Sequence, residues 1–147
     1  MEIINTPIKD LVVIKPKVFA DARGFFFETY NEERYREAGI TQKFVQDNMS
    51  KSSYGVVRGL HFQKPPYSQA KLVQVIEGAV LDVAVDLRSN SETYGQWYAV
   101  ELTAENHLQF LIPRGFAHGF AVLSETAIFS YKCDNFYHPE ADGGVIY

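Results

Sequence analysis

Short runs of apolar and polar residues, most of them closed by a turn signal, recur along the whole chain, and only one stretch carries a helical pattern. Residues 8–19 alternate loosely through Val12, Val13, Ile14 and Val18. Pro16 has no amide to donate, so this stretch predicts an edge strand or two short strands. Asp21, Ala22, Arg23 and Gly24 form a turn signal, and residues 25–30 read as a strongly aromatic strand with rings on both faces. In a small domain that pattern predicts that one face meets a ligand or a second subunit. Residues 31–39 predict a short, mostly polar surface helix, with Asn31 as N-cap, Glu32 and Glu33 in the first turn and Gly39 as the stop. A short strand follows at 44–48 and a polar, serine-rich loop at 49–55. Further strands are predicted at 56–63, 71–76, 79–87, 94–102 and 110–112, with a closing hairpin of 121–123 and 127–132. Residues 137–144 read as a loop.

Many short strands and a single short helix predict an all-β fold. Among such architectures the double-sheet jelly roll fits the strand count and the glycine-rich corners. The 147 residues suit one domain with a real core. Eleven phenylalanines and nine tyrosines favour sheets and aromatic-lined sites. A net charge of −4 with no lysine or arginine run argues against a nucleic-acid partner. No apolar run approaches a membrane span and no signal peptide opens the chain, so a cytoplasmic protein without a membrane partner is the simplest expectation. The one cysteine, Cys133, excludes an internal disulfide framework and reads as a packed small residue.

Four residues on or at the ends of predicted strands could carry chemistry. His61 lies between Leu60 and Phe62. Alternation turns it away from both, toward an aromatic-walled interior if that face lines a barrel, with Arg58 on a neighbouring part of the same surface. His118 is flanked by Phe116 and Phe120, Lys71 opens an apolar strand, and Tyr131 closes one. Each has a bland alternative, as core histidine, solvated edge lysine or half-buried structural tyrosine. Together, a base, a cation and a phenol in an apolar barrel suit removal of a proton alpha to a ketone: the base takes the proton, the cation sits by the enolate oxygen, and a second group returns a proton from the other face. The competing use, a bound metal, needs a close His-x-His pair that the chain lacks, so neither a metal nor another cofactor is expected.

At these motifs the chain resembles the dTDP-4-dehydrorhamnose 3,5-epimerase family. The resemblance runs through ARGFFFET (22–29), FVQDN (44–48), VVRGLHFQKPP (56–66), KLVQVIEGAVLDVAVDLR (71–88), SETYGQW (91–97), IPRGFAHGF (112–120) and YKCDNFYHPE (131–140). The segment PRGFAH also resembles a motif of the wider cupin superfamily, which implies a cupin-type double-stranded β-helix of the metal-free branch. The implied reaction is epimerisation at C3 and C5 of dTDP-4-dehydro-6-deoxy-glucose to dTDP-4-dehydro-rhamnose, a polysaccharide precursor. His61 would be the proton acceptor, Tyr131 the donor on the other face, and Lys71 the partner of the enolate oxygen. His118 would lie close to the sugar and Arg58 near the phosphates. Gln46, Asp47 and Asn48 match a substrate-contacting segment, Tyr137 a residue stacking on thymine, and Asp142 a carboxylate near the nucleotide. Arg23, Phe26 and Glu28 match residues that reach the site across a homodimer built by N-terminal strand exchange. The resemblance also implies one domain over residues 1–147 without the family's usual C-terminal segment, whose aspartate pairs with the catalytic histidine. Either the chain is truncated, or another carboxylate orients His61, with Asp82 a candidate, or the protein is a weak epimerase. The alternatives are a C3-only epimerase or keto-isomerase of a related dTDP-sugar, and a sugar-nucleotide-binding module with little or no catalysis.

Overall fold

The computed structural model describes residues 1–144. Strands β1 (Glu2–Asn5) and β2 (Val12–Lys15) open the chain, followed by a small hairpin of β3 (Phe19–Asp21) and β4 (Gly24–Phe26) and the helix α1 (Glu32–Glu37). Then come β5 (Gln46–Ser53), β6 (Val57–Gln63), β7 (Lys71–Glu77), β8 (Ala79–Asp86), β9 (Trp97–Thr103), β10 (Gln109–Ile112), β11 (Phe116–Val122), β12 (Thr126–Cys133) and, after a short 3-10 turn at Pro139–Ala141, β13 (Asp142–Gly144). Two antiparallel sheets result, ordered β1-β2-β10-β7-β12-β5 and β13-β6-β11-β8-β9. This is the jelly roll that the strand pattern predicts, in its cupin-like form.

Alternation decides the layers. Val73 and Val75 of β7 turn inward, to a core shared with Val80, Ala84, Leu102, Phe110, Phe116, Phe120 and Phe129 from both sheets. Leu72, on the alternate register, turns outward beneath the helix with Ile14, Tyr35, Ile40 and Leu111. The helix is therefore more than surface decoration. Asn31 caps it by accepting the Arg34 N–H at 3.1 Å. Tyr35 is 2 % exposed and donates its hydroxyl to Gln109 Oε1 at 2.7 Å.

Three expectations are corrected. Residues 49–53 are not a loop but most of β5, an edge strand paired with β12 over eight residues. Its polar side chains alternate, with Asn48, Ser50 and Ser52 turned inward and Asp47, Met49 and Lys51 outward, so apolar content gave no strand signal. The aromatic strand predicted over 25–30 is paired only to Phe26, in the β3–β4 hairpin, where Phe19, Phe25 and Phe26 are all exposed. Residues 142–144, read as loop, pair with β6.

Candidate active site

One irregularity in β6 places its functional side chains. His61 pairs with His118 and Arg58 pairs with Phe120, so three steps along β6 oppose two along β11. Strict alternation would send Arg58 and His61 to opposite faces; the extra residue of this bulge brings both to the same one. The bulge needs Gly59. Its φ is +104°, and a Cβ there would lie 2.6 Å from the His118 carbonyl and from the Gly119 Cα. Gly119 is needed reciprocally, since its own Cβ would lie 2.5 Å from the Arg58 carbonyl.

Between the two sheets lies a cavity of about 550 Å³, bordered by Arg58, His61 and His118 from one sheet and by Asn48, Lys71 and Tyr131 from the other, with Tyr137 and Asp142 at its edge. That volume suits a small-molecule ligand. Phe116, Phe120, Phe129 and Ile112 supply apolar wall. Lys71 is on the inward register of Val73, directly beside Cys133 of β12, and its Nζ lies 5.5 Å from the centre of the Tyr131 ring. Burial holds the Lys71 ammonium below the usual lysine pKa, against the pull of Cys133, Asp82 and Asp142. Burial likewise pushes the Tyr131 phenol up, opposed by Asn48, so the phenol keeps its proton at neutral pH. A larger hollow of about 870 Å³ lies beside the 89–93 segment. Its guanidinium, Arg88, is fully engaged with Asp86 and Asp10, which leaves it no charge to offer a ligand.

The two histidines differ. His118 is buried, and its Nε2 donates to Asp82 Oδ2 at 2.9 Å. Asp82 is wholly buried. Its pKa is raised by that burial, with His118 pulling the other way, and its Oδ1 has no partner among the described residues. Asp82 therefore serves His118, not His61: β11 lies between β8 and β6, so the aspartate meets the nearer histidine. Among the described residues, the carboxylate nearest His61 is Asp142, with Oδ1 3.8 Å from Nδ1, too long for a hydrogen bond. The His61 side chain is 58 % exposed, so the aromatic-walled interior expected beside it does not enclose it.

Of the other expected site residues, Gln46 stands just behind the wall, accepting the Tyr137 N–H at 3.1 Å and donating to Asn48 Oδ1 at 3.1 Å. Asp47 is on the outward register of β5 and pairs with Lys132 at 3.0 Å, away from the cavity. Arg23 pairs with Asp21, Glu28 pairs with Arg34, and Phe26 is 70 % exposed. Within one chain these three do not reach the cavity. Residues that the sequence did not single out are Ser52, which accepts the Arg58 Nε–H at 2.8 Å, and the buried Gln63. For Ser52 the signal was present in its shared alternation with Asn48; for Gln63 there was none. Among the described residues, no three His, Cys, Asp or Glu side chains gather as a metal site would require.

The arrangement has close counterparts. Residues 5–147 match the family model described as dTDP-4-dehydrorhamnose 3,5-epimerase. A protein of that name from Escherichia coli K12 is 52 % identical over 146 residues, covering 99 % of this chain and 79 % of the relative. Among solved structures, the dTDP-4-dehydrorhamnose 3,5-epimerase from Elizabethkingia anophelis is 63 % identical, with a TM-score of 0.93 over 99 % of this chain and 80 % of its own. A 3,5-epimerase from Legionella pneumophila, solved with dTDP-4-keto-L-rhamnose, is 54 % identical, with a TM-score of 0.96 over 99 % of this chain and 78 % of its own. With the match running nearly end to end in both sequence and structure, this chain belongs to the dTDP-4-dehydrorhamnose 3,5-epimerase family.

Proposed function

We propose that this chain epimerises dTDP-4-dehydro-6-deoxy-glucose at C3 and C5, giving dTDP-4-dehydro-rhamnose. The observation that carries the reading is the placement of His61 and Tyr131 on different sheets, β6 and β12, bordering one cavity. Inversion of a carbon needs a base on one face and an acid on the other, and this pair offers both.

His61 takes the proton alpha to the 4-keto group. The C–H electrons move into the carbonyl, and the Lys71 ammonium faces the resulting enolate oxygen in a poorly solvated site, where a charge counts for more than in water. The Tyr131 hydroxyl returns a proton to the opposite face of the same carbon, re-forming the ketone. His61 is open to solvent and sheds its proton there; Tyr131 regains one from water. The same cycle at the second carbon completes the reaction. Arg58, anchored through Nε to Ser52, presents the rest of its guanidinium to the cavity and suits a diphosphate. Tyr137 would take the nucleotide end, whereas Asp142, 3.8 Å from His61, stands beside the sugar end. A second copy of the chain, docked on the exposed Phe19, Phe25 and Phe26 of the β3–β4 hairpin, would let Arg23, Phe26 and Glu28 reach the partner's site.

The test is incubation with the keto-sugar nucleotide in heavy water, read by NMR of the sugar protons. Deuterium at both C3 and C5 supports the assignment. Exchange at C3 alone would replace it with a single epimerase, and binding without exchange with a binding module. Light scattering at micromolar concentration should give a dimer; a monomer would overturn the cross-subunit roles.

A further inference from the structure

Tyr137 borders the cavity from a loop without regular structure, and a buried side chain, Gln63, bonds that loop on both sides of Tyr137. Gln63 is 7 % exposed and lies on β6, two residues past His61. Its Nε2 donates to the Phe136 carbonyl at 3.2 Å and to the Tyr67 carbonyl at 2.5 Å, and its Oε1 accepts the His138 N–H at 2.7 Å. Two carbonyls at one end and an N–H at the other fix which way the amide points, and both of its amide hydrogens and its oxygen are used. The Phe136 carbonyl and the His138 N–H belong to the two peptide groups on either side of the Tyr137 Cα. Gln63 therefore grips Tyr137 by both flanking peptides, while Gln46 takes the Tyr137 N–H at 3.1 Å from the other side. The loop is packed from beneath by His138, whose ring stacks on Tyr67 at 3.8 Å between centroids.

We infer that Gln63 is a positioning residue for substrate: it sets the Tyr137 backbone, and hence the ring, at a fixed distance along β6 from His61. This inference rests on the reading that Tyr137 receives the nucleotide base. A sugar nucleotide spanning from Tyr137 to His61 would then have both ends measured off one strand. Gln63 lines the cavity with its amide hydrogens and oxygen already engaged, and acts through Tyr137.

The experiment is a double-mutant cycle of Gln63→Met and Tyr137→Ala, read by dTDP binding calorimetry and steady-state kinetics on the full chain. Gln63→Met should weaken dTDP by about tenfold, as expected from losing hydrogen bonds that order the ring. KM should rise by more than kcat falls, and the substitution should cost almost nothing further in the Tyr137→Ala background. Should Gln63→Met fail to fold, Gln63→Asn keeps the amide but is a methylene too short to hold both peptides, and carries the same cycle. Full additivity with Tyr137→Ala, or a lowered melting temperature with unchanged dTDP affinity, would reduce Gln63 to a structural residue and overturn the inference. Unchanged dTDP affinity in Tyr137→Ala alone would overturn the placement of the base on Tyr137, and the inference with it.

Discussion

His61 and His118 are paired across neighbouring strands, yet they occupy opposite kinds of ground. At the floor, the His118 side chain is 7 % exposed and tied to a carboxylate that is itself entirely buried. At the rim, the His61 side chain is 58 % exposed, with its nearest carboxylate beyond hydrogen-bond reach. A group that must take up and release a proton in every turnover gains from contact with water. A group that must present a fixed dipole gains from burial and a locked tautomer. On the proposed mechanism, the contrast suits proton transfer at the rim and electrostatic support at the floor.

The sharpest way to break this division is to remove each histidine in turn. His61→Asn should cost about 10²–10⁴ in kcat, the range for a general base, and should abolish deuterium exchange into substrate. His118→Asn should cost less and leave exchange measurable. Equal losses would erase the distinction. Lys71 comes next: Lys71→Met should lower kcat by about 10²–10³, as loss of an oxyanion partner does, with KM changed far less. Its protonation also sets a pH limit. Burial lowers its pKa, so the required ammonium is lost as pH rises through that lowered value, earlier than for a solvated lysine. Tyr131 is pushed the other way and still holds its proton there. The alkaline limb of kcat should therefore belong to Lys71 and move to higher pH in Lys71→Arg. A limb that stays put would assign it elsewhere.

The partner carboxylates give smaller effects. Asp82→Asn replaces the carboxylate that holds the His118 tautomer by an amide that can also donate, and should cost about 10–100-fold in kcat, as loss of such supporting hydrogen bonds does. Asp142→Asn removes only a solvent-exposed charge at 3.8 Å from His61. It should change kcat by about threefold or less, since exposed pairs are weak, and the effect should fade with salt. If Asp142→Asn proves the more damaging of the two, the rim and floor have been assigned the wrong way round.

The sequence carried the fold where side chains alternate cleanly. Val73 and Val75 against Leu72 predict a two-faced strand, and the same register sends Lys71 inward. It failed where register is set by something other than hydrophobicity. β5 has no apolar face to announce it, because its inward positions are asparagine and serines that line or support the cavity. Arg58 was expected on the same surface as His61 and lies there, but period two alone would separate them; the bulge that unites them depends on the close passage of Gly59 and Gly119, a contact sixty residues apart in sequence. Asp82 was a candidate partner for His61 because nothing local says that β11 lies between their strands. The grip of Gln63 on Tyr137 is equally non-local, spanning more than seventy residues.

Base and acid working from opposite walls can be separated by Tyr131→Phe in heavy water. This variant keeps the ring against Lys71 and removes only the proton donor. It should still exchange substrate protons at C3 and C5 through His61, while the recovered sugar keeps its original configuration. Loss of exchange in Tyr131→Phe, or inversion proceeding at the wild-type rate, would contradict the account.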